Sequence, residues 1–481
     1  DVNDATRDNP MGVLVEQGQE DTTFDAGRLE FGQTYYWRVD EVNAAPDNTI
    51  FKGDVWSFTV EPYAYPLTVK AATASNSQPN MGPENTINGS GLNADDQHGT
   101  ELTTMWMTTG AKPAWIQYEF DKAYLLDGLQ VWNSNQAIEP FLGFGAKTVT
   151  IEYSADGQAW TALENVPEFG RATGAATYAA NTTVSMAGVM AKFVKLTIEA
   201  TWGGMPQTGF SEVQFYYVPL AAREPQPGAD ATDVLPNAML SWRAGRQAAS
   251  HQVYFGTDAG SLSLVATADE PGFEPDMDLA QTYFWKVVEV NTAEAVPEWE
   301  SDVWSFSTAA ALVVDGFESY TNDMDAGKAI FQTWTDGYEV DTNGSIVGHS
   351  EAPFAERTLV RTGKQSMPFS YDNSGGATIS ETTRTFDDAQ DWTAYGSQIL
   401  SIAFYGAADN TGTLYLKINN TKVPYSGDDA NLKKAEWQQW TIDLASTGAG
   451  LTNVTKLVIG VEGAGATGTL YFDDIELSTA R

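Results

Sequence analysis

The sequence of 481 residues contains no cysteine and only three histidines. Without cysteine, the chain can form no disulfide, no thiolate zinc site and no cysteine nucleophile. The histidines, His98, His251 and His349, fall in three different parts of the sequence, so we do not expect them to share a metal or catalytic centre. Nucleophile-elbow, His-Glu-x-x-His, Walker and dinucleotide-binding motifs are also absent. The sequence therefore predicts a protein without enzymatic activity.

Basic residues are scarce: 26 Lys and Arg stand against 64 Asp and Glu, a formal net charge of −38 at pH 7. This balance argues against binding to nucleic acid or to anionic lipid, because both attract Lys and Arg. No apolar run approaches the roughly 18 residues of a membrane helix, so membrane insertion is not expected. The acidic residues favour solubility, Ca²⁺ binding through carboxylate oxygens, or both together.

Glycine, proline and aromatic residues are plentiful, with 43 Gly, 20 Pro and 12% aromatic residues. Aromatic, β-type runs alternate with Gly, Asn and Asp, which is typical of all-β sandwiches. The 42% hydrophobic content is enough to build several cores. A chain of this length predicts three or four domains.

An internal repeat links two distant parts of the chain. Residues 33–43 (QTYYWRVDEVN) return as residues 281–291 (QTYFWKVVEVN), and residues 54–58 (DVWSF) return unchanged as residues 302–306. Both blocks are displaced by 248 residues, so the connecting loop keeps its length. Apolar residues alternate with other residues in each block, which predicts half-buried strands.

These blocks resemble the last strands of a fibronectin type III domain, where a Tyr-x-Trp-x-Val strand precedes a Trp-Ser-Phe strand. Two further strand-like segments, residues 238–242 and 251–256, precede the second copy, which is expected to be complete. No such segments precede the first copy, and their absence would leave an apolar face and an open sheet edge. We expect either that the sequence is a piece of a longer protein or that a neighbouring chain supplies the strands by strand addition.

Between the two copies, the chain resembles a discoidin domain, the coagulation-factor C-type sandwich that bacteria also use as a carbohydrate-binding module. Ala74-Ser75 opens the segment, and six further matches follow in order. They are residues 83–89 (PENTING), 115–120 (WIQYEF), 129–133 (LQVWN), 149–160 (VTIEYSADGQAW), 193–196 (FVKL) and 210–216 (FSEVQFY). The resemblance implies a β-sandwich that binds carbohydrate.

In that family a calcium ion joins the early loop to the closing strand. Carried over by position, the resemblance implies Asn88 and Glu212 as ligands, with carbonyls near Asn85 and Leu92. Asn88 stands where the family has Asp, so an oxygen is kept and a charge is lost. The alternative is that Glu212 only caps a loop.

Sugar sites of such modules lie on loops at one end of the sandwich, where an aromatic face stacks on a sugar ring and polar groups bond its hydroxyls. The candidates are residues of those types in the corresponding loops: His98, Asn133, Asn135, Phe141, Phe144, Lys147 and Trp202. Residues 137–145 are strongly apolar for a loop. If exposed they form a binding patch, and if buried they form a hydrophobic plug.

The last segment opens with residues 313–320 (VVDGFESY) and closes with residues 470–477 (LYFDDIEL). It resembles jelly-roll carbohydrate-binding modules, whose terminal strands lie side by side and share a structural calcium. By position the resemblance implies Glu318, Asp473 or Asp474, and a carbonyl near Gly363 as ligands. Neighbouring carboxylates repel each other, which gives a cation a physical reason to bind there. The alternative is that these acids point to solvent.

The sequence therefore predicts an all-β chain of tandem β-sandwiches in four domains. They are a partial fibronectin type III-like domain (1–64), a discoidin-like domain (65–219), a fibronectin type III-like domain (220–310) and a jelly-roll carbohydrate-binding-like domain (311–481).

The expected function is non-catalytic binding of carbohydrate or a cell-surface polymer by an extracellular bacterial protein, with calcium as a structural ion and fibronectin-like spacers. One alternative is a structural subunit of an extracellular filament or surface layer, self-associating by strand complementation. Another is the accessory tail of a secreted polysaccharide-degrading enzyme.

Overall fold

A computed structural model describes residues 2–6, 9–111 and 113–479. The chain divides into two compact units, Asp1–Leu220 and Ala221–Arg481. Nearly all of the regular secondary structure of both units is β-strand, arranged in several sheets, so the predicted all-β class with tandem β-sandwiches is confirmed. Within the described residues, no helix has the length and apolar character needed to cross a membrane.

The first module of unit 1 has two small antiparallel strand pairs. They are β1 (Thr34–Trp37) with β4 (Trp56–Thr59), and β2 (Glu41–Val42) with β3 (Ile50–Phe51). Among its described residues, 2–6 and 9–64, only Ala5 is buried. This part of unit 1 therefore has strands without a hydrophobic core of its own.

The second module of unit 1 contains the larger sheet. Its strands are β5 (Tyr65–Leu67), β6 (Ala71–Ala74), β7 (Gln97–His98), β8 (Trp106–Met107), β9 (Ala114–Asn133), β10 (Ala146–Ser154), β11 (Thr161–Ala162), β12 (Tyr178–Ala179), β13 (Thr182–Thr201) and β14 (Gly209–Val218). The short helix α1 (Glu139–Leu142) lies between β9 and β10, and 3-10 turns occupy Pro83–Thr86 and Leu102–Thr104.

Strands β9 and β13 organise this module, because each is 20 residues long and pairs with several partners. The sheet order is β11-β10-β13-β9-β14-β5, with β6 on β9 and β8 on β14. Alternate residues of the first half of β9, including Ile116, Tyr118 and Phe120, are fully buried, as a period of two requires. Register shifts in the β13–β9 pair bend both strands, so one sheet encloses the core.

The first module of unit 2 is a two-sheet sandwich. Its strands are β15 (Arg223–Gln226), β16 (Ala231–Val234), β17 (Leu240–Arg243), β18 (Ser250–Gly256), β19 (Ser263–Ala268), β20 (Gly272–Phe273), β21 (Thr282–Val290), β22 (Glu298–Glu300) and β23 (Trp304–Thr308). One sheet has the order β15-β17-β20, and the other has β16-β23-β21-β18-β19 with β22 on β21. Trp242, Trp285 and Phe306 are buried in the core.

The second module of unit 2 is a larger sandwich. Its elements are β24 (Ala311–Asp315), α2 (Ile330–Thr333), β25 (Trp334–Thr335), β26 (Ser345–Val347), β27 (Met367–Asp372), β28 (Ile379–Gln390), β29 (Ile399–Tyr405), β30 (Thr413–Ile418), β31 (Thr421–Pro424), β32 (Trp437–Asp443), β33 (Val454–Glu462) and β34 (Thr467–Ser478). Three 3-10 turns occupy Ala394–Gly396, Asp429–Lys433 and Leu444–Ser446.

Its two sheets have the orders β26-β27-β34-β29-β32, with β24 on β34, and β25-β28-β33-β30-β31. The first and last strands, β24 and β34, are therefore antiparallel neighbours. One large core lies between the sheets and includes Trp440, Ile442 and Leu444. A buried polar group lies in it as well, because the Asp315 carboxylate accepts hydrogen bonds from Tyr320 Oη at 2.6 Å and Trp334 Nε1 at 2.8 Å.

Candidate ligand-binding site

The loop between β9 and β10 carries the most exposed large apolar side chain of the second module. Phe141, on α1, is 84% exposed, and its neighbours Ile138 and Leu142 are also exposed. Phe144, three residues further, is buried in a small cluster with Met81 and Met107. The apolar segment predicted from the sequence therefore has both characters: Phe144 anchors the loop and Phe141 faces solvent.

A buried carboxylate holds this loop in shape. Glu139 has no exposed surface, and its oxygens accept hydrogen bonds from Phe144 N at 2.8 Å and Gly145 N at 3.2 Å. Burial raises the pKa of Glu139, while these amides and the nearby Arg171 act in the opposite direction. Arg171 Nε lies 3.7 Å from Glu139 Oε1. The sequence analysis missed both residues, although a single acid inside an apolar loop was a usable signal.

Gly143 lets the loop pack against the segment after β13. Its φ is +66°, and a Cβ at this position would lie 2.5 Å from Gly203 N. Two hydrogen bonds join the loop to this segment: Gly203 N donates to Gly143 O at 2.8 Å, and Trp202 N donates to Gly145 O at 3.1 Å. Residues 138–145 and 202–203 therefore form one rigid rim.

Trp202 lies on this rim and Lys147 lies next to it at the start of β10, both with part of their surface exposed. Lys147 Nζ lies 4.9 Å from the centre of the Trp202 ring, a cation–π contact, and 3.5 Å from Glu168 Oε1. Trp202 Nε1 donates to Phe169 O at 2.9 Å, which fixes the indole plane. Together with Phe141, these residues give the rim two aromatic rings and a cation.

The remaining predicted ligand contacts lie inside the module. Asn133 Nδ2 donates to Ala146 O at 2.7 Å and Gly170 O at 2.8 Å, and Asn135 Nδ2 donates to Ala175 O at 2.7 Å. Neither amide has exposed surface. Since each is fully engaged with backbone groups, the structure gives Asn133 and Asn135 a loop-supporting role in place of the predicted ligand contact.

His98 is also fully buried, on β7, with Nδ1 2.9 Å from Gly99 O. Burial lowers its pKa, so the neutral imidazole is favoured. The ring packs against Gly91, where a Cβ would lie 2.0 Å from Nε2. Like the buried Phe144, His98 therefore supports the loops, and neither side chain is exposed for the predicted ligand contact.

Glu212, on β14, occupies the position implied for a calcium ligand. It is buried, and its Oε2 accepts a hydrogen bond from Gly89 N at 3.2 Å. Burial raises its pKa to about 7, which means that the charged form is poorly compensated by its surroundings. Asn88 is exposed, with Oδ1 accepting from Ser90 N at 2.9 Å. A buried carboxylate beside an exposed amide oxygen fits a cation that prefers oxygen ligands.

The acids of the last module are engaged by one loop; Asp473 and Asp474 are buried, whereas Glu318 is exposed. Asp473 Oδ2 accepts from Arg361 N at 2.9 Å, and Arg361 Nη1 lies 3.4 Å from Asp474 Oδ2. Burial raises the pKa of Asp473 to about 6. A guanidinium therefore stands beside the carboxylate pair that was predicted to bind calcium.

Glu318 engages the same loop: its Oε1 accepts from Lys364 N at 2.8 Å and Gln365 N at 3.1 Å. Gly363 has a φ of +71°, and a Cβ there would lie 2.4 Å from Glu318 Oε1. Across residues 2–6, 9–111 and 113–479, no group of three or more His, Cys, Asp and Glu side chains is arranged to hold a metal ion. Any cation at these positions must therefore use carbonyl or amide oxygens as well.

Solved structures similar to the chain include three carbohydrate-binding modules. The family 32 module from C. perfringens NanJ in complex with galactose is 17% identical, with a TM-score of 0.23, over 30% of this chain and 92% of that one. A module of a family 31 glycoside hydrolase from Clostridium perfringens is 19% identical, with a TM-score of 0.24, over 32% and 95%. The AlyQ module in complex with 4,5-unsaturated mannuronic acid is 18% identical, with a TM-score of 0.22, over 31% and 97%.

No curated protein matches the chain. One family model does, and it covers residues 71–210, which include β6 to β13, the rim and the Asn88 loop. The chain therefore contains an F5/8 type C domain, the discoidin-like domain, at residues 71–210.

Proposed function

We propose that the chain is a non-catalytic, extracellular binding protein and that its F5/8 type C domain binds carbohydrate at the rim. The observation that carries this proposal is the 84% exposed Phe141 ring on a loop that the buried Glu139 carboxylate holds rigid. Exposing a large ring costs solubility, whereas stacking it on the C–H face of a sugar removes that apolar surface from water. The segment that hydrogen-bonds to this loop adds the Trp202 ring, with Lys147 Nζ over it, as a second ring and a cation.

The test is affinity electrophoresis of the full chain in gels that contain polysaccharide, with galactose and mannuronic acid as soluble competitors. Phe141→Ala should weaken binding roughly 2- to 13-fold, the value of one aromatic contact of about 0.5–1.5 kcal/mol. Leu264→Ala is the matched control, because Leu264 is an exposed apolar residue on β19. Equal retardation of Phe141→Ala and the unaltered chain would contradict the proposed site.

Within this function, calcium is proposed as a structural ion held by Glu212, Asn88 and nearby carbonyl oxygens. The support is the poorly compensated charge of the buried Glu212, which a divalent cation would stabilise. Calorimetric unfolding should show a transition temperature that rises with calcium, and binding at 100 times Kd adds about 2.7 kcal/mol. Glu212→Gln should remove the response, and a response that survives this change would place the ion elsewhere.

A second function, assembly by strand addition, is favoured by the uncovered first module. There β1 and β4 expose Trp37, Trp56 and Phe58. We propose that this face receives two β-strands of another chain with the pattern of residues 240–256. The support is that in unit 2 β17 lies in the sheet that covers the matching face, while β18 pairs with the matching strand edge.

A synthetic peptide of residues 238–256 tests this assembly. In excess, it should slow hydrogen exchange in residues 33–43 of the full chain, because it offers both an apolar face and a partner for the strand edge. A peptide with Trp242 and Phe255 replaced by Ser is the control. Unchanged exchange with the unaltered peptide would rule out this occupant.

A further inference from the structure

The tripeptide Asn-Gly-Ser occurs twice in the chain, at residues 88–90 and 343–345, and no other asparagine of the sequence is followed by glycine. An asparagine before glycine is prone to deamidation, because glycine has no side chain to keep its backbone nitrogen away from the asparagine amide carbon. Since the two tripeptides are identical, a difference in their reactivity must come from the surrounding fold.

The fold brings the groups that this reaction needs to Asn88. The nucleophile is Gly89 N, whose N–H donates to Oε2 of the buried Glu212 carboxylate, 3.2 Å away. The electrophile is the amide carbon of Asn88, and Asn88 Oδ1 accepts a hydrogen bond from Ser90 N at 2.9 Å. This bond stabilises the negative charge that develops on Oδ1 during attack. Asn88 is exposed, so its amide nitrogen can leave into solvent.

The second tripeptide is held differently. Gly344 N donates to a backbone carbonyl, Ile379 O, at 3.1 Å, and a carbonyl is no base for the proton. Asn343 Nδ2 donates to Glu381 O at 2.9 Å, and Asn343 Oδ1 accepts from Glu381 N at 2.8 Å, with Ser345 N further away at 3.4 Å. Both ends of this amide are therefore fixed to β28, and its nitrogen is retained.

We propose that Asn88 is an autocatalytic deamidation site, in which Glu212 and the Ser90 amide promote attack of Gly89 N on the Asn88 side chain. The new bond joins Gly89 N to Asn88 Cγ, and the bond from Cγ to Nδ2 breaks. The proton of Gly89 N passes to Glu212 Oε2 and from there to the departing nitrogen, which leaves as ammonia. Water then opens the cyclic succinimide, and position 88 becomes aspartate or isoaspartate.

The aspartate product places a second carboxylate beside Glu212. Two carboxylates with nearby carbonyl oxygens are a better set of ligands for Ca²⁺ than one carboxylate with an amide oxygen. Deamidation of Asn88 therefore increases the calcium affinity of the loop as the protein ages. This consequence rests on the calcium site proposed above, whereas the deamidation itself does not.

Mass spectrometry of the full chain, incubated without calcium and then digested at acidic pH, measures conversion at both asparagines in one sample. A chain unfolded in urea is the reference, because identical tripeptides convert at about the same rate there. In the folded chain Asn88 should convert faster than in urea, and Asn343 should convert more slowly. Glu212→Gln keeps the side-chain volume but cannot take up the proton. It should slow conversion of Asn88 about 100-fold, the lower end of what a positioned general base contributes, and leave Asn343 unchanged.

The proposal is overturned if Asn88 converts no faster in the folded chain than in urea, or if Glu212→Gln leaves its rate unaltered. Calorimetric unfolding tests the consequence separately. Calcium should raise the transition temperature of Asn88→Asp more than that of freshly prepared chain. An equal rise would contradict the consequence for calcium, and no rise in either chain would contradict the calcium site, while the rates at Asn88 decide the deamidation by themselves.

Discussion

The two copies of the internal repeat have the same local structure but lie in different surroundings. In the first copy Trp37 pairs with Trp56, and in the second Trp285 pairs with Trp304; the ring centroids are 4.7 Å apart in both. Yet Trp37 is 46% exposed, and Trp285 has no exposed surface. Local sequence therefore determines the strand pair but not its burial.

The difference comes from β17 and β18. Trp242 packs edge-on against Trp285 at 6.0 Å, and Phe255 stacks on Tyr283 at 4.8 Å. Strand β18 also pairs with β21 along residues 250–256, which satisfies the edge that the first copy leaves open. A strand pair becomes a domain only when a second layer removes its apolar face from water.

The largest expected effect is the difference between Trp285 and Trp37 in how much each side chain stabilises its copy of the repeat. Trp285→Ala should lower the free energy of unfolding of its module by about 3–5 kcal/mol, because it empties a filled core position. Trp37→Ala should change the opening free energy of its strand pair by less than about 1 kcal/mol. Hydrogen exchange with mass spectrometry reports residues 281–291 and 33–43 separately in the full chain. Equal losses in the two peptides would mean that the first copy is covered in solution.

A smaller effect is expected at the matched acids Glu289 and Glu41. Glu289 is buried, pairs with His251 Nδ1 and accepts from Gly245 N at 3.0 Å, whereas Glu41 is exposed. Glu289→Ala should cost about 3 kcal/mol, because it leaves buried partners unpaired, and Glu41→Ala should cost less than about 0.5 kcal/mol. The same exchange experiment measures both. Glu289→Gln keeps the side-chain volume and a hydrogen-bond acceptor, so its stability cost should lie between these two values.

The smallest effect depends on pH. The Arg38 guanidinium, helped by the Gly53 amide, lowers the pKa of Asp40 below its usual 3.8, and Val288 stands at the matching position of the second copy. Because the folded pKa is the lower one, this stabilisation is present above pH 3.8 and is lost as the pH falls through the folded pKa. Its size should stay under about 1 kcal/mol for a partly exposed pair.

Exchange in residues 38–53, corrected for intrinsic rates at pH 6, 4 and 3, measures this acid sensitivity. It should be present in the unaltered chain and absent from Asp40→Asn. A matching loss in residues 286–301 of the second copy would assign the effect to another group.

The rim shows how much of a candidate binding site can be predicted from the sequence. The apolar character of residues 137–145 is visible in the sequence, the resemblance to discoidin domains pointed to the aromatic residues of this loop, and Phe141 does lie at the surface. Asn133 and Asn135 were chosen for their chemistry, but their amides are turned inward by backbone carbonyls from distant segments, at residues 98–99, 146, 170 and 175. Which face of a loop is exposed depends on those distant partners, and local sequence does not contain them.

The sequence by itself determined the strands. Alternating apolar residues in β9, β21 and β32 set a period of two, and the repeat blocks fixed the register of Trp37 with Trp56 and Trp285 with Trp304. The tertiary structure alone decided which of these faces are buried, that Glu139 shapes the rim, and that Arg361 stands beside Asp474. The reason is physical: strand formation depends on neighbours along the chain, whereas burial and electrostatic compensation depend on segments that only the fold brings together.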